Sequence, residues 1–436
     1  MHHASARPGK VRRPFLAIGA AVGLMATACA PSADPVSDAE QSPTFDRIVD
    51  ESFLYTDDLA TPFDLIAPTA GDPLWRIVGS VLDPANGRTQ AAVWESDDGR
   101  VWDRSDLPPT ERGVSEQVRS VTRVGDDLLA VGSSGLGEAA DAAVWRSSGG
   151  EDASWEQMLP PEMAGRHELW GFDIAAGPGG VVVAGGERTW GDVRPRMWHS
   201  PDGESWQAVE GGEDGPFSES GQESISAVTQ AGDGFVAVGW ERVDGEQRGL
   251  AWYSPDGVSW EAVEAPELDG EGRQAALSAA YVDGTVVAGG YTAEEGGRGR
   301  PVVWRSEDGQ GWSDPSEPLS LADTNRSSAE DLAVRSLQVI EPSLPDPDDA
   351  GDSDDDDSEP TSLVASGGAR AQPNMWTSSD GGSSWDRLPA PRQNSFPDGI
   401  DLVTAARAGS DTVAIGDEPL VVRLDDERWL PSSSDT

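Results

Sequence analysis

Apolar residues in this chain fall into many short runs, which are separated by Gly, Pro, Asp and Ser. Representative runs cover residues 181–185, 235–239 and 286–289, and each is rich in Val and Ala and ends in Gly. Runs of four to eight such residues, bounded by turn-forming residues, are typical of β-strands. The pattern therefore predicts an all-β protein made of many short strands.

One cassette recurs along the chain: an apolar run ends in Trp, a Ser and an Asp-Gly turn follow, and a second Trp closes it. Close copies cover residues 94–102, 198–206, 252–260 and 304–312; a longer copy covers 376–385, a looser one 145–155 and a degenerate one 424–429. The first tryptophans of successive copies from Trp94 to Trp304 lie 51, 53, 54 and 52 residues apart. Each unit combines two strands upstream of the cassette with the hairpin of the cassette itself.

Four strands in a unit of about 50 residues are typical of a β-propeller blade. We therefore predict a propeller of four-stranded antiparallel blades over residues 61–433, with seven blades and six as the alternative. The gap of 72 residues between Trp304 and Trp376 indicates an insertion at about 341–361, where nine of the fourteen residues from 346 to 359 are acidic. Such a run cannot bury apolar surface, so we expect a solvated, disordered loop; weak calcium binding is the alternative.

The cassette at 376–385, with Ser378, Asp380, Gly382 and Trp385, resembles the Asp box (BNR repeat) of sialidase-superfamily propellers. The resemblance implies that the repeated aspartates are structural residues of the turn: Asp97, Asp202, Asp256, Asp308 and Asp380. It also implies that the active face carries the loops between second and third strands and those between blades. The turns with the aspartates would lie at the opposite end.

The N-terminus has the features of a bacterial export signal. Four basic residues precede an apolar stretch at 15–25, which is too short to span a bilayer comfortably. Residues 26–29 then resemble a lipobox. We predict a lipoprotein signal peptide at 1–28, a lipid on Cys29, a flexible tether at 29–60 and a position on the extracytoplasmic face of the cell membrane. The alternative is an ordinary signal peptide with an incidental cysteine.

Composition limits the classes of partner. The chain has 31 basic and 78 acidic residues, and residues 1–28 hold four of the basic ones, so 27 against 78 leaves a charge of −51 beyond the signal. Such a surface repels nucleic acid. Cys29 is the only cysteine, and beyond the signal the histidines are His167 and His199, so we expect neither a disulfide nor a metal site nor a cofactor.

Arginines recur in the loops between second and third strands, where a carboxylate or phosphate ligand would suit them. The candidates are Arg88, Arg188, Arg194, Arg196, Arg248, Arg300 and Arg370, with Trp190 and Trp240 as aromatic residues that could stack on a ligand. The alternative, which we favour, is that these arginines pair with nearby glutamates such as Glu187 and Glu241.

Sialidases use a Tyr nucleophile beside a Glu, an Asp acid/base and three arginines, together with an early Arg-Ile-Pro motif. Here the nearest match, at residues 74–78, lacks the Pro, and only Tyr291 with Glu294 is suitably placed for catalysis. We therefore expect a non-catalytic, monomeric module that binds a protein or glycan at the cell envelope. A sialidase-like glycan hydrolase is the alternative, and an exo-acting one if the chain is an enzyme.

Overall fold

The computed structural model describes the part of the chain that forms the repeats. The described residues are 59–69, 72–108, 115–148, 154–189, 192–209, 216–217, 222–270, 272–294, 296–321, 332–340, 361–369, 372–388, 402–408, 411–416, 421–425, 428–431 and 433–434. The predicted signal peptide, Cys29, all but the last two tether residues and most of the predicted acidic insertion (341–360) lie outside them. Within these ranges no helix is long and apolar enough to cross a membrane.

The described chain forms seven sheets of sequence-adjacent strands, which we number in chain order. Sheet 1 contains β1 (Leu59–Ile66), β2 (Trp75–Asp83), β3 (Arg88–Ser96) and β4 (Val101–Asp106); sheet 2 contains β5 (Glu116–Val124), β6 (Asp127–Ser134), β7 (Asp141–Ser148) and β8 (Trp155–Met158). Sheet 3 contains β9 (Glu168–Gly177), β10 (Gly180–Thr189), β11 (Asp192–Ser200) and β12 (Gln207–Ala208); sheet 4 contains β13 (Glu223–Ala231), β14 (Gly234–Val243), β15 (Glu246–Ser254) and β16 (Glu261–Ala262).

Sheet 5 contains β17 (Arg273–Val282), β18 (Thr285–Ala293) and β19 (Arg300–Ser306), and sheet 6 contains β20 (Ala333–Ile340), β21 (Ser362–Ala369), β22 (Gln372–Ser378) and β23 (Asp386–Arg387). Sheet 7 contains β24 (Leu402–Ala408), β25 (Asp411–Gly416), β26 (Val421–Asp425) and β27 (Arg428–Pro431), and β28 (Ser433–Ser434) pairs in parallel with β4 of sheet 1. The described helical turns are two short 3-10 segments, Gly137–Ala139 and Pro161–Met163.

The sheets are arranged in a ring around the first strand of each, which we call the inner strand. The inner strands β1, β5, β9, β13, β17, β20 and β24 contact one another in that order, and β24 contacts β1. Within each sheet, consecutive strands pair antiparallel. The predicted fold, a propeller of four-stranded antiparallel blades, is confirmed.

Six of the seven sheets have four antiparallel strands of consecutive sequence. The number of complete four-stranded blades is therefore six, which matches our alternative prediction. Sheet 5, the fifth of the seven repeats, has three. The segment after β19 runs beside it without forming a strand: the N–H groups of Ser313, Ser316 and Leu319 donate to carbonyls of β19 at 2.8–2.9 Å. Pro315 and Pro318 lie in this segment and have no N–H to donate, which explains why a regular ladder does not form.

The hydrophobic core lies between the sheets. Seven apolar clusters each join residues of two neighbouring sheets, including one that joins sheets 1 and 7. The largest buried side chains include the third-strand tryptophans of the cassettes. Four of their indole N–H groups hold the loops between sheets; for example, Trp198 donates to Glu162 O at 2.9 Å, and Trp252 donates to Pro216 O at 3.0 Å. The repeated tryptophans are therefore scaffold residues.

Candidate functional site

The inner strands surround a central channel that contains a cavity of about 280 Å³. Its polar lining includes Asp64, Ser120, Asp173, Gln230, Tyr281 and Gln338. The cavity follows the second half of the inner strands, toward the turns between first and second strands. In an up-and-down sheet these turns lie at the same end as the cassette turns. The cavity thus lies away from the face that the sequence favoured for function.

A β-bulge interrupts every inner strand, and in the first six sheets it lies one or two residues before the first lining residue of the cavity. In each sheet one residue of the inner strand has no partner on the second strand, and we call these seven residues the bulge ring: Phe63, Arg119, Phe172, Ser226, Leu277, Arg335 and Val403. In all seven cases the preceding residue is buried, whereas the bulged residue is half-buried or exposed. The bulge therefore leaves one side chain per sheet outside the ladder pairs, and three of these side chains, Phe172, Leu277 and Val403, pack against apolar clusters.

A glycine on the second strand pairs with the residue that precedes each of the seven bulges. A Cβ on Gly132 would lie 1.8 Å from Gln117 O, and one on Gly290 would lie 1.9 Å from Ala275 O. Only a residue without a side chain allows the bulged strand to come this close. The glycines that end the apolar runs in the sequence therefore serve the bulges, and in the fifth repeat the residue concerned is Gly290 rather than Gly289.

Two carboxyl groups in the channel connect the first four sheets. Asp64 accepts hydrogen bonds from the N–H of Leu65 on its own strand and, at 3.0 Å, from the N–H of Val121 on β5. Asp173 likewise accepts hydrogen bonds from the N–H of Ile174 on its own strand and, at 2.8 Å, from the N–H of Val228 on β13. The inner edge of a blade presents unpaired N–H groups. Each aspartate therefore caps one such group on its own sheet and one on the next.

Ser120 connects the two aspartates. Its Oγ atom lies 2.9 Å from Oδ2 of Asp64 and 3.1 Å from Oδ1 of Asp173. A hydroxyl has one proton to donate, so two ionised carboxylates cannot both accept from it. Burial raises the pKa of Asp64 to about 6; burial, and then the neighbouring charge of Asp64, raise the pKa of Asp173 to about 7. The pair therefore retains a proton at mildly acidic pH.

A buried ion-pair cluster lies where the first and second strands of sheet 1 join. The Arg76 side chain is 0% exposed; its Nη1 donates to Asp72 and its Nε donates to Glu95 at 2.6 Å. Arg123 of β5 also donates to Asp72, and to Ala67 O at 2.8 Å. Burial alone would raise the pKa of Asp72, but the bonds from the two arginines hold it below its ordinary value. Arg76, the arginine of residues 74–78, is thus inaccessible to solvent.

Three of the predicted loop arginines form pairs with carboxylates. Arg188 donates to Glu168 at 2.7 Å, Arg196 pairs with Glu187, and Arg248 lies 3.5 Å from Asp269. Arg88 and Arg300 are exposed, and Arg194 is half-buried with its Nε atom buried and without a partner among the described residues. Arg370 and Trp190 lie outside the described residues. The structure does not bring the described members of this set to the channel cavity.

Trp240 and Tyr291 lie on the second strands of adjacent sheets and pack in one cluster. Trp240 is half-buried, and the guanidinium of Arg242 lies 5.7 Å from its ring. Tyr291 is only 4% exposed: its hydroxyl donates to Oε1 of Gln247, and Arg273 lies 5.9 Å from its ring. Glu294 is exposed, and its backbone carbonyl accepts from Gly297 at 2.8 Å. One partner of this phenol is therefore an amide oxygen.

The cassette turns are organised by hydrogen bonds from a Ser and to an Asp, and we call them Ser–Asp turns. In the fourth repeat the N–H groups of Val258 and Ser259 donate to Asp256 at 2.9 and 2.7 Å, and Ser254 donates to the same carboxylate at 3.2 Å. Hydrogen bonds from the N–H groups of Ser205 and Glu204 likewise lower the pKa of Asp202 to about 2. Asp308 and Asp380 make corresponding bonds.

The first repeat requires a correction to the predicted turn residue. Asp98, and not Asp97, accepts from the N–H groups of Arg100 at 2.8 Å and Val101 at 3.2 Å. The spacing explains this result: in the well-formed copies the carboxylate immediately precedes the turn glycine, and Asp98 precedes Gly99. Asp97 occupies the position of Pro201 and Pro255, whose side chains make no such bond.

The fold thus defines a β-propeller of four-stranded antiparallel blades, without a group of three or more His, Cys, Asp or Glu residues in the described part that could hold a metal ion. No family model and no curated protein matches the chain. Among solved structures it is similar to the β-propeller domain of the Trilobed protease from Pyrococcus furiosus (9% identity, TM-score 0.45, 86% of this chain and 95% of that one). It is also similar to a Hadza microbial sialidase (13% identity, TM-score 0.40, 80% of this chain and 72% of that one) and to a glycoside hydrolase (14% identity, TM-score 0.33, 63% and 91%). These similarities concern the fold.

Sequence reasoning missed the channel residues. Their signal was nevertheless present, because each inner strand contains a variable residue, then Asp, Ser, Thr or Ala, then an aliphatic residue: Phe63-Asp64-Leu65, Arg119-Ser120-Val121 and Phe172-Asp173-Ile174 are the first three examples. Without the register between strands, a bulge cannot be distinguished from simple alternation.

Proposed function

We propose that this protein is anchored by a lipid at Cys29 on the outer face of the cell membrane and uses its propeller to bind an envelope protein or glycan, without catalysis. The anchor rests on the sequence: an apolar stretch preceded by basic residues is followed, four residues later, by the single cysteine. The binding role rests on the fold, because loops and channels on a rigid propeller are suited to recognition.

The environment of Tyr291 carries the non-catalytic part of the proposal. A phenol acts as a nucleophile when a neighbouring base takes its proton and a substrate can reach it. Here the hydroxyl is bound to an amide oxygen and the residue is 4% exposed. Arg76, the other residue in a sialidase-like sequence context, pairs with the buried Asp72 and the half-buried Glu95. These contacts hold Tyr291 and Arg76 in the packed structure, which supports a non-catalytic role.

Turnover can be tested directly with a fluorogenic sialoside. We expect no hydrolysis by the wild-type protein and the same result for Tyr291→Phe and for Tyr253→Phe, a matched variant in a cassette. Hydrolysis that Tyr291→Phe abolishes and Tyr253→Phe retains would show that the protein is an enzyme and would overturn this part of the proposal.

Binding can be tested with the purified mature protein on a glycan array and, in parallel, by cross-linking to envelope extracts of the source cells. A reproducible glycan or protein partner is expected. The absence of a partner in both experiments would contradict the recognition role.

The anchor is tested separately by growth with an alkyne-tagged fatty acid. The wild-type protein should carry the tag and sediment with membranes, whereas Cys29→Ser should lose both properties. An untagged, soluble wild-type protein would contradict the anchor, whatever the binding experiments show.

A further inference from the structure

The channel cavity brings together polar side chains from the inner strands of several sheets. Its volume of about 280 Å³ lies just below the usual range of small-molecule sites, which begins at about 300 Å³. Asp64, Asp173 and Gln338 belong to its lining, and all three are half-buried, so they retain surface that a small molecule can contact. The cavity therefore has room for one small molecule and offers it several polar groups.

The length of the cavity along the channel follows from the register of the inner strands. Asp64, Ser120 and Asp173 lie at one end, because they directly follow the bulge in their strands. Gln230 and Tyr281, at the other end, lie three residues further along the equivalent strands. A strand rises about 3.3 Å per residue, so the two ends are roughly 10 Å apart. This length suits a compact molecule with polar groups on opposite sides.

The wall between the two ends includes small aliphatic residues. They are Ala175, Val228, Ala279 and Ala280. Such a wall contacts the CH groups of a ligand, whereas the polar groups at the ends supply hydrogen bonds and fix its orientation. A ligand that matches the cavity therefore combines CH groups with several hydrogen-bonding groups.

The charges around the cavity disfavour an anionic ligand. Asp64 and Asp173 both lie within hydrogen-bond distance of the Ser120 hydroxyl, so two carboxyl groups meet at one end. Among the lining residues that the structure describes, none is Arg, Lys or His. A carboxylate or phosphate in the cavity would therefore meet like charge without a cation to pair with it, in an enclosed space where such repulsion is strong.

The same carboxyl groups have hydrogen-bond donors in place of a counter-ion. Asp64 accepts from the N–H of Val121 at 3.0 Å and from Nε2 of Gln338 at 3.3 Å. Asp173 accepts from the N–H of Val228 at 2.8 Å. The raised pKa values of the two carboxyl groups also keep a proton on the pair at mildly acidic pH, so the pair can donate as well as accept. Sugar hydroxyl groups have the same double capacity.

We propose that the channel cavity binds one neutral monosaccharide, whose hydroxyl groups form hydrogen bonds with Asp64, Asp173 and the Gln338 amide and whose ring CH groups contact the aliphatic wall. This site goes beyond the envelope partner proposed above and does not depend on it. A partner bound by the loops would survive substitutions in the channel, so the two proposals can fail independently.

The test is calorimetric titration of the purified full-length mature protein at pH 6 with glucose, galactose and mannose, each beside its uronate and its 2-amino sugar. We expect at least one hexose to bind, its uronate to bind at least about tenfold more weakly because of the carboxyl pair, and its amino sugar to bind no more tightly. Three results would each overturn the proposal: no binding of any hexose, which would mean that the cavity holds water only, equal binding of hexose and uronate, or tenfold tighter binding of the amino sugar, which would indicate a cation site.

Variants assign the binding to the channel. Gln338→Leu removes one amide from the cavity and should weaken hexose binding by about three- to tenfold. The matched control is Gln157→Leu, because Gln157 lies on the outer strand of sheet 2 and its amide donates to Glu116; hexose binding should not change.

A second pair of variants tests the role of charge. Asp173→Asn replaces one carboxyl group by a neutral amide and should narrow the difference in affinity between the hexose and its uronate, whereas Asp97→Asn, in an exposed turn, should not. Circular dichroism and the unfolding midpoint establish that each variant is folded. Unchanged hexose affinity in folded Gln338→Leu, or unchanged discrimination in folded Asp173→Asn, would refute the assignment.

Discussion

The Oγ atom of Ser120 lies 2.9 Å from Oδ2 of Asp64, on the inner strand of the adjacent sheet. The same hydroxyl reaches Asp173 on its other side, so three sheets meet at one serine. Because its single proton cannot serve two ionised carboxylates, the stability of this half of the channel depends on pH.

The first prediction concerns that dependence. The folded-state pKa values of Asp64 and Asp173, about 6 and about 7, lie above the ordinary value of 3.8. Their contribution to stability is therefore complete below pH 3.8 and is lost as the pH rises through 6 and 7. Since one pKa unit corresponds to about 1.4 kcal/mol, we expect the free energy of unfolding to fall over this range by a few kcal/mol.

Asp173→Asn should reduce this fall, because an amide can donate to Ser120 and accept from Val228 without ionising. Denaturant unfolding across the pH range measures the effect. The matched control is Asp97→Asn, which removes one carboxylate from an exposed turn and should leave the pH profile of the wild-type protein intact. Identical profiles for the two variants would argue against a shared proton in the channel.

The Ser–Asp turn of the first repeat allows a comparison of adjacent residues. Asp98→Ala removes the acceptor for the N–H groups of Arg100 and Val101 and should lower the unfolding free energy by about 1 kcal/mol. Asp97→Ala removes the same charge without these bonds and should change stability by less than about 0.5 kcal/mol. Chemical denaturation of the two variants measures the difference, and equal losses would contradict the role of Asp98.

The glycine opposite the bulge in sheet 2 gives a third prediction. A methyl group on Gly132 would meet the carbonyl oxygen of Gln117 at 1.8 Å, so Gly132→Ala must displace the inner strand. We expect a loss of about 3 kcal/mol or more, as for other overpacked sites. Gly311→Ala is the control, because its nearest non-neighbouring atom lies 3.8 Å away. A tolerated Gly132→Ala would mean that the bulge does not require glycine.

The sealed ion-pair cluster of sheet 1 gives the fourth prediction. Arg76→Ala leaves the carboxylates of Asp72 and Glu95 with one fewer cation in a buried position, and we expect a loss of about 3–5 kcal/mol. Arg104→Ala breaks a partly exposed pair with Asp106 and should lose less than about 1 kcal/mol. Thermal and chemical denaturation measure the unfolding free energies of the two variants. A small loss for Arg76→Ala would indicate that the cluster relaxes or admits water.

The sequence predicted the part of the fold that repeats in type and spacing. Trp198 and Trp252 revealed the blade because tryptophan, serine and Asp-Gly recur at a nearly constant interval. The missing fourth strand of sheet 5 could have been anticipated from Pro315 and Pro318, which remove the donors of a ladder.

The channel residues could not be predicted from the sequence repeat. Arg119 and Arg335 differ in residue type from the bulged residues of the other inner strands, so no repeated residue type marks the bulge in the sequence. Both are bulged residues of an inner strand, a position that arises from the register between two strands and that sequence alternation does not specify. Asp97 was chosen over Asp98 for a related reason, since two adjacent carboxylates match the turn and only the hydrogen bonds separate them.

The bulges separate the positions that build this protein from those that can vary. Each inner strand contributes one side chain that packs in no ladder pair, while the glycine opposite preserves the backbone around it. Phe172, Leu277 and Val403 also pack against apolar clusters, so their substitution affects the core as well. For evolution or for a protein engineer, the bulged positions are those of the inner strand at which a side chain can be exchanged while the pairing with the second strand is preserved.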